Sequence, residues 1–252
     1  MIAPDRVAFT VFGVDVMWYG LLIGCGFLLA TIISYYRAPR HGINPDFILD
    51  LVIFMVPTAI IGARAYYVIF SWEQYAGDWA KIFDTRQGGL AIHGGLIACF
   101  TVAYFICRWK KVNFLNGADL VAPTIPLAQS IGRWGNFFNE EAHGGPTDLP
   151  WAQIIDGVGY HPTFLYESIW CFGLFWILSW IDKHHHKFDG QILCLYGILY
   201  SVERFFVEGL RTDSLMIGPL RQAQVISLAI IAVCAAAYYI LQRNHNNKKE
   251  TL

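Results

Sequence analysis

Apolar residues gather into seven stretches, each near the roughly 20-residue length that spans a bilayer as a helix. They run at about 18–36, 47–70, 90–108, 118–137, 163–181, 191–210 and 222–241. The fourth is interrupted by Pro123, Pro126, Gln129 and Ser130, breaks that are tolerated where a helix packs against protein or lines a cavity. The pattern predicts an all-α, polytopic membrane protein with seven transmembrane helices in a single domain, 1–252. Two segments between spans are long. The first, 71–89, carries Trp72, Tyr75 and Trp79 and suits an interfacial belt or a helix lying on the membrane. The second, 138–162, is rich in Gly, Pro and charge and reads as an ordered functional loop or a mobile lid. Residues 242–252 read as a solvated tail.

Lysine and arginine in the short loops set the orientation. One set of loops carries Arg37, Arg40, Arg108, Lys110, Lys111, Lys183, Lys187, Arg243, Lys248 and Lys249. The other carries Arg6, Lys81, Arg86, Arg211 and Arg221, mixed with acids. The richer set belongs in the cytoplasm, which places the N-terminus outside and the C-terminus inside. The first ten residues lack the basic start and cleavage site of a signal peptide, so the first span reads as a retained helix.

Composition agrees with a membrane protein. Of 252 residues, 56% are hydrophobic and 15% charged, where a soluble domain carries about 25% charge. Mean hydropathy is +0.42. A net charge of −1 provides no basic surface for nucleic acid. The six cysteines all lie in apolar stretches without a Cys-x-x-Cys pair, and read as small buried hydrophobes rather than a disulfide framework or metal site. His184, His185 and His186 read as a polar turn on the inner side, and Asp50 and Asp119 as interfacial caps.

Against this background the charges inside the spans stand out. Arg64, Arg133 and Arg204 lie inside or at the ends of apolar stretches, where an arginine costs several kcal/mol unless it faces a cavity, a partner or an ion. On the seven-span topology, Tyr19, Arg64, His93, Arg133, Asn136, His161, Glu167, Arg204, Glu208 and Arg211 all fall toward the outer side. Helices folding around one outer-leaflet cavity would account for that clustering. Tyr200, Arg204, Glu208 and Arg211 are spaced four, four and three apart, on one face of the sixth span, with Glu203 about 100° away. Arg133, Asn136 and Glu140 make a similar face if the fourth span continues that far. Arg64 is placed equally well by a ligand or by a neighbouring tyrosine or backbone carbonyl. His93 is flanked by double glycines that permit close backbone approach, and a helix starting there favours a neutral, basic imidazole. Thr163 reads as an N-cap with Glu167 in the first turn. His161 reads as either a lid contact or a surface residue.

Four motifs, in order along nearly the whole chain, resemble the signatures of the bacterial prolipoprotein diacylglyceryl transferase family. They are Gly-Gly-Leu-Ala-Ile-His-Gly-Gly (88–95), Gly-Arg-Trp-Gly-Asn-Phe-Phe-Asn-Glu-Glu (132–141), His-Pro-Thr-Phe-Leu-Tyr-Glu (161–167) and Glu-Arg-Phe-Phe-Val-Glu-Gly-Leu-Arg-Thr-Asp (203–213). The resemblance implies transfer of a diacylglyceryl group from phosphatidylglycerol to the lipobox cysteine thiol of a preprolipoprotein, with a thioether formed and glycerol phosphate released. It implies no metal or organic cofactor, and a site toward the outer leaflet of the bacterial cytoplasmic (inner) membrane. The residues suit that chemistry. The thiol needs a proton acceptor, for which His93 is the candidate. The departing phosphate needs cationic donors, for which Arg133 and Arg204 are candidates. Asn136, Glu141 and Tyr19 are expected to orient headgroup or peptide, with Gly144 permitting loop approach. Glu208 is expected to hold Arg204 or Arg211. Arg64, Tyr200, His161 and Glu167 are possible accessories.

Other classes fit less well. A lipid transporter shares intramembrane arginines but more naturally shows inverted repeats and a midplane site. An intramembrane protease would show a nucleophile elbow or paired aspartates. A scaffold leaves the outer-side charges without a purpose.

Overall fold

The computed structural model describes residues 1–84, 88–212 and 214–250. Arg86, counted among the outer loop charges, and Asp213, the last residue of the fourth motif, lie outside the described residues. The protein is mostly helical, and five helices among the described residues are long and apolar enough to cross a membrane. In chain order the α-helices among the described residues are α1 (Trp18–Arg37), α2 (Asp46–Phe70), the short α3 (Trp79–Phe83), α4 (Ile92–Lys110), α5 (Phe114–Val121), α6 (Thr124–Asn139), α7 (Thr163–His185), α8 (Gln191–Leu210) and α9 (Gln222–Glu250). The chain divides into two compact units, Met1–Ile33 with Ala118–Leu252, and Ser34–Gly117.

The expected fourth span is broken. Residues 118–137 are covered by α5 and α6 with a turn at Ala122 and Pro123 between them, because proline lacks the N–H that would continue the ladder. At 16 residues, α6 alone is about 24 Å long, short of the roughly 30 Å hydrocarbon layer. The sixth stretch is a continuous 20-residue helix, α8, but carries Glu203, Arg204 and Glu208. Neither α6 nor α8 is among the five apolar helices.

In the second unit α2 packs along α4. A Cβ on Gly94 would run into the Gly62 carbonyl, so both glycines serve a close backbone crossing. In the first unit α6 packs on α7, α7 on α8, and α8 on α9, around a small core of Ala122, Leu174, Leu178 and Ile192. Asp119, fully buried on α5, accepts from the backbone N–H groups of Gly190 (2.7 Å) and Leu193 (2.8 Å) at the start of α8. It satisfies orphan donors of another helix rather than sitting at the interface, which is a cap made across the fold. His186, from the three-histidine turn, bonds the same carboxylate at 2.9 Å.

Three two-stranded hairpins lie between or before helices: β1 (Val7–Val11) with β2 (Val14–Met17), β3 (Gln153–Ile155) with β4 (Val158–Tyr160), and β5 (Met216–Ile217) with β6 (Leu220–Arg221). The segment 138–162 carries the end of α6 and the β3–β4 hairpin. Its hairpin turns at Asp156 and Gly157, both at positive φ, as a two-residue loop requires. Ile2 pairs beside Ile154. The segment 71–89 holds a short 3₁₀ turn and α3, whose N-cap Asp78 accepts from Ala80 and Lys81. Trp72, Trp79 and Phe83 are left exposed there.

Candidate active site

The polar residues of the first unit converge on Glu167. Sequence position suggested a first-turn carboxylate, but Glu167 is 2% exposed and joins two helices to its own. Its Oε2 lies 3.1 Å from Arg133 Nε on α6, and its Oε1 2.8 Å from Arg204 Nη1 on α8. Arg204 Nη2 in turn meets Glu208 Oε2 at 2.6 Å, one helical turn along α8. Glu208 Oε1 accepts from Ser214 Oγ at 2.5 Å. Thus Glu208 holds Arg204, one of the two expected alternatives. Arg133 Nη2 donates to Tyr200 Oη at 3.3 Å. Glu203 is buried with both carboxylate oxygens lacking a hydrogen-bond partner among the described residues. An acid inside an apolar run, one residue before Arg204, is the sequence signal for it.

Arg133 opens onto a cleft of about 320 Å³ between α1 and α6. Ile23 and Phe27 give it an apolar wall, while Tyr19, Gln129 and Asn136 line it with Arg133. Arg133 lines this space with its Nε engaged by Glu167 and its Nη2 by Tyr200. Tyr19 reaches its place only because residue 135 is glycine: a Cβ there would stand 3.2 Å from the Tyr19 Cα and closer still to its ring.

Three expected placements are corrected. Helix α6 ends at Asn139, with Glu140 at φ 54° in the left-handed region, so Glu140 leaves the Arg133 face. Asn136 Nδ2 instead donates to Glu141 Oε1 at 2.9 Å, joined by Asn139 at 3.3 Å. Arg211 lies past the end of α8 in an extended conformation, off the face of Arg204 and Glu208, and pairs its backbone with Gly144. Thr163 is not the N-cap: Pro162 holds that position, and the Thr163 hydroxyl donates to the Ala142 carbonyl. The helix began one residue earlier than the side-chain chemistry suggested because Pro at the boundary presets the backbone.

Gly144 is a tight point of the loop. Its N–H donates to His161 O at 2.9 Å, and Gly145 N–H donates to Leu210 O at 3.0 Å. A Cβ on Gly144 would fall 2.7 Å from His161 Cβ and 3.0 Å from Leu210 O. The loop thereby ties the start of α7 to the end of α8. His161 Nδ1 lies 3.4 Å from Tyr166 Oη.

The second unit holds Arg64 and His93. Arg64, 8% exposed, spends all five N–H donors on backbone carbonyls. Nε donates to Ile82 (2.8 Å), Nη1 to Gly88 (3.0 Å) and Gly89 (2.9 Å), and Nη2 to Lys81 (2.6 Å) and Asp84 (2.8 Å). Tyr75 stacks 5.1 Å from the guanidinium carbon. Of the two readings open for Arg64, the structural one describes this geometry. It pins the glycines that lead into α4, where exposed His93 occupies the first turn with its ring 6.2 Å from that of Tyr66. Arg133, Arg204, Glu167, Glu208, Tyr200, Tyr19, Asn136, Glu141, Gly144, His161 and Arg211 belong to the first unit. Among the described residues, no group of three His, Cys, Asp or Glu side chains could hold a metal ion.

Comparison with known proteins follows the same residues. The family model described as "Prolipoprotein diacylglyceryl transferase" matches residues 6–240. A phosphatidylglycerol–prolipoprotein diacylglyceryl transferase of Clostridioides difficile (strain 630) is 54% identical over 98% of this chain and 99% of its own. The protein of that name from Finegoldia magna is 53% identical over 90% and 92% of the two chains. One from Gloeobacter violaceus is 43% identical over 96% and 94%.

Proposed function

The chain belongs to the prolipoprotein diacylglyceryl transferase family, and from that premise we propose how its residues divide the reaction. The enzyme moves a diacylglyceryl group from phosphatidylglycerol to a lipobox cysteine of a preprolipoprotein, the first step of lipoprotein lipidation. A sulfur–carbon bond forms, and the carbon–oxygen bond to phosphate breaks. Glycerol phosphate leaves with the electron pair, and the thiol proton is taken up by a base.

One observation carries the assignment of Arg133. Its guanidinium is held at Nε by Glu167 and at Nη2 by Tyr200, and the residue lines a cleft whose α1 wall is apolar. A phospholipid has that division: an anionic phosphate for the guanidinium and acyl chains for Ile23 and Phe27. Charge grows on the phosphate oxygens as the ester bond breaks, and a preorganised cation acts where charge develops. Arg204, clamped between Glu167 and Glu208, shares the Glu167 carboxylate with Arg133. Tyr19, Asn136 and Glu141 orient the headgroup or peptide. The loop through Gly144, His161 and Arg211 shapes the entrance. His93, exposed in the first turn of α4, takes the thiol proton.

The same reading places both units in one integral membrane domain of seven spans, with α5–α6 as the fourth and α8 as the sixth. The N-terminus is outside, the C-terminus cytoplasmic, and the chemistry at the outer leaflet of the inner membrane. The basic loops support that orientation.

Purified protein supplied with phosphatidylglycerol and a lipobox peptide should add one diacylglyceryl mass to the peptide cysteine and release glycerol phosphate. Arg133→Ala should fold normally and lose on the order of 100-fold or more in turnover. Undiminished turnover in folded Arg133→Ala removes the phosphate-stabilising role.

A further inference from the structure

The first hairpin presents its chemistry on two sides. Phe9 pairs with Val16 and Val11 with Val14, while Thr10 pairs with Asp15. Alternation along a strand puts Phe9, Val11, Val14 and Val16 on one face and Thr10 with Asp15 on the other. On the polar face the Thr10 hydroxyl donates to Asp15 Oδ1 at 2.7 Å. On the apolar face Phe9, Val11 and Val14 are exposed. Between the strands stands Phe12, 104% exposed.

Phe12 is also in the wrong place for its own turn. Phe12 has φ 50° and Gly13 φ 79°, a two-residue loop of the kind that favours asparagine then glycine. A bulky residue at positive φ is a genuine outlier. The turn therefore tolerates Phe12 rather than requiring it, and a two-stranded hairpin with one apolar face is marginal in water. An exposed apolar patch of this kind marks a contact with something else.

The continuity of the chain says what that is. Met17 runs directly into Trp18, the first residue of α1, which is one of the helices apolar and long enough to cross a membrane. Trp18 N–H donates to Arg6 O at 3.0 Å, closing the hairpin onto the helix start, and its ring stacks 5.0 Å from Phe138. Tryptophan at a helix end is a mark of the membrane–water interface. A ribbon joined rigidly to that point, apolar on one side and polar on the other, fits an interfacial layer as an amphipathic helix does.

We propose that the β1–β2 hairpin lies in the headgroup layer of a phospholipid bilayer, with Phe9, Val11, Val14 and Phe12 turned toward the acyl boundary. It anchors the start of α1 and so sets the depth of Tyr19, the next residue after Trp18, at the mouth of the Arg133 cleft.

The full-length protein is reconstituted in liposomes of phosphatidylglycerol and phosphatidylethanolamine, with the photoreactive substitution Phe12→p-benzoyl-phenylalanine. After irradiation, intact mass should show phospholipid adducts at position 12, several-fold more than from the same substitution at Thr10 on the polar face. Equal yields at the two positions, or no lipid adduct at position 12, overturn the proposal. So does a dominant cross-link to a second copy of the chain, or to a lipobox peptide when one is present.

Discussion

Replacing Arg64 by lysine keeps the charge and removes the fork. The guanidinium makes five bonds to carbonyls of residues 81–89, and an ammonium has three donors, so at least two carbonyls lose their partner. A hydrogen bond to a charged group nets about 1.5–3 kcal/mol, which bounds the loss at about 3–6 kcal/mol. Lys81 and Gly88 are exposed, so water replaces part of it, and about 2–4 kcal/mol of local stability should go. The loss falls on the segment that Arg64 ties down rather than on global unfolding. Hydrogen exchange is the assay. In Arg64→Lys, amides of 78–84 and 88–91 should exchange roughly 30- to 700-fold faster, at 1.4 kcal/mol per tenfold. The Ala91 N–H, which donates to Ala63 O at 3.0 Å, is a convenient reporter. Transfer should fall as well, because Gly88 and Gly89 lead into the turn that presents His93. Unchanged protection across 78–84 and 88–91 in Arg64→Lys would refute the clamp. If such a variant were instead weakened only in its use of phosphatidylglycerol, Arg64 would be a phosphate ligand.

Glu167→Gln removes the carboxylate shared by Arg133 and Arg204, and breaking a buried pair from one side costs about 3–5 kcal/mol. Thermal unfolding in detergent should show it, and Glu167→Gln should lose more stability than Glu141→Gln, whose carboxylate is exposed. Gly144→Ala forces a Cβ against His161 and Leu210, so the loop must shift at about 1–3 kcal/mol; transfer should drop while far-ultraviolet circular dichroism keeps the wild-type helix content. The hydrogen bond that His186 donates to the Asp119 carboxylate raises the His186 pKa above the ordinary histidine value. The folded state therefore holds its proton more tightly than the unfolded chain. The resulting stability is full below the unfolded value of about 6.5 and is lost as pH rises through the folded one. Thermal midpoints measured from pH 5 to 9 should fall across that window in the wild type and flatten in His186→Gln.

Much of the helical plan was open to reading from the chain alone. A bilayer has fixed thickness and no water to satisfy backbone groups, so apolar runs of sufficient length become helices whatever their neighbours. The stretches 18–36, 47–70, 90–108 and 163–181 thus lie within α1, α2, α4 and α7 to within two residues. The costly arginines were legible for the same reason. Their partners were not. Whether a guanidinium meets a carboxylate, a carbonyl or an open cleft depends on how each helix is rotated and where it ends, and those are properties of packing. Helical spacing grouped Arg211 with Glu208, but α8 stops at Leu210 and sends Arg211 to the Gly144 loop. Glu167 appeared as a first-turn acid because nothing local reveals that α6 and α8 bring cations to it from both sides. Residue types and spans were written in the one-dimensional pattern, since transfer into lipid is a property of each segment. Ion-pair identities were decided only in three dimensions, since charge–charge contact is a property of pairs.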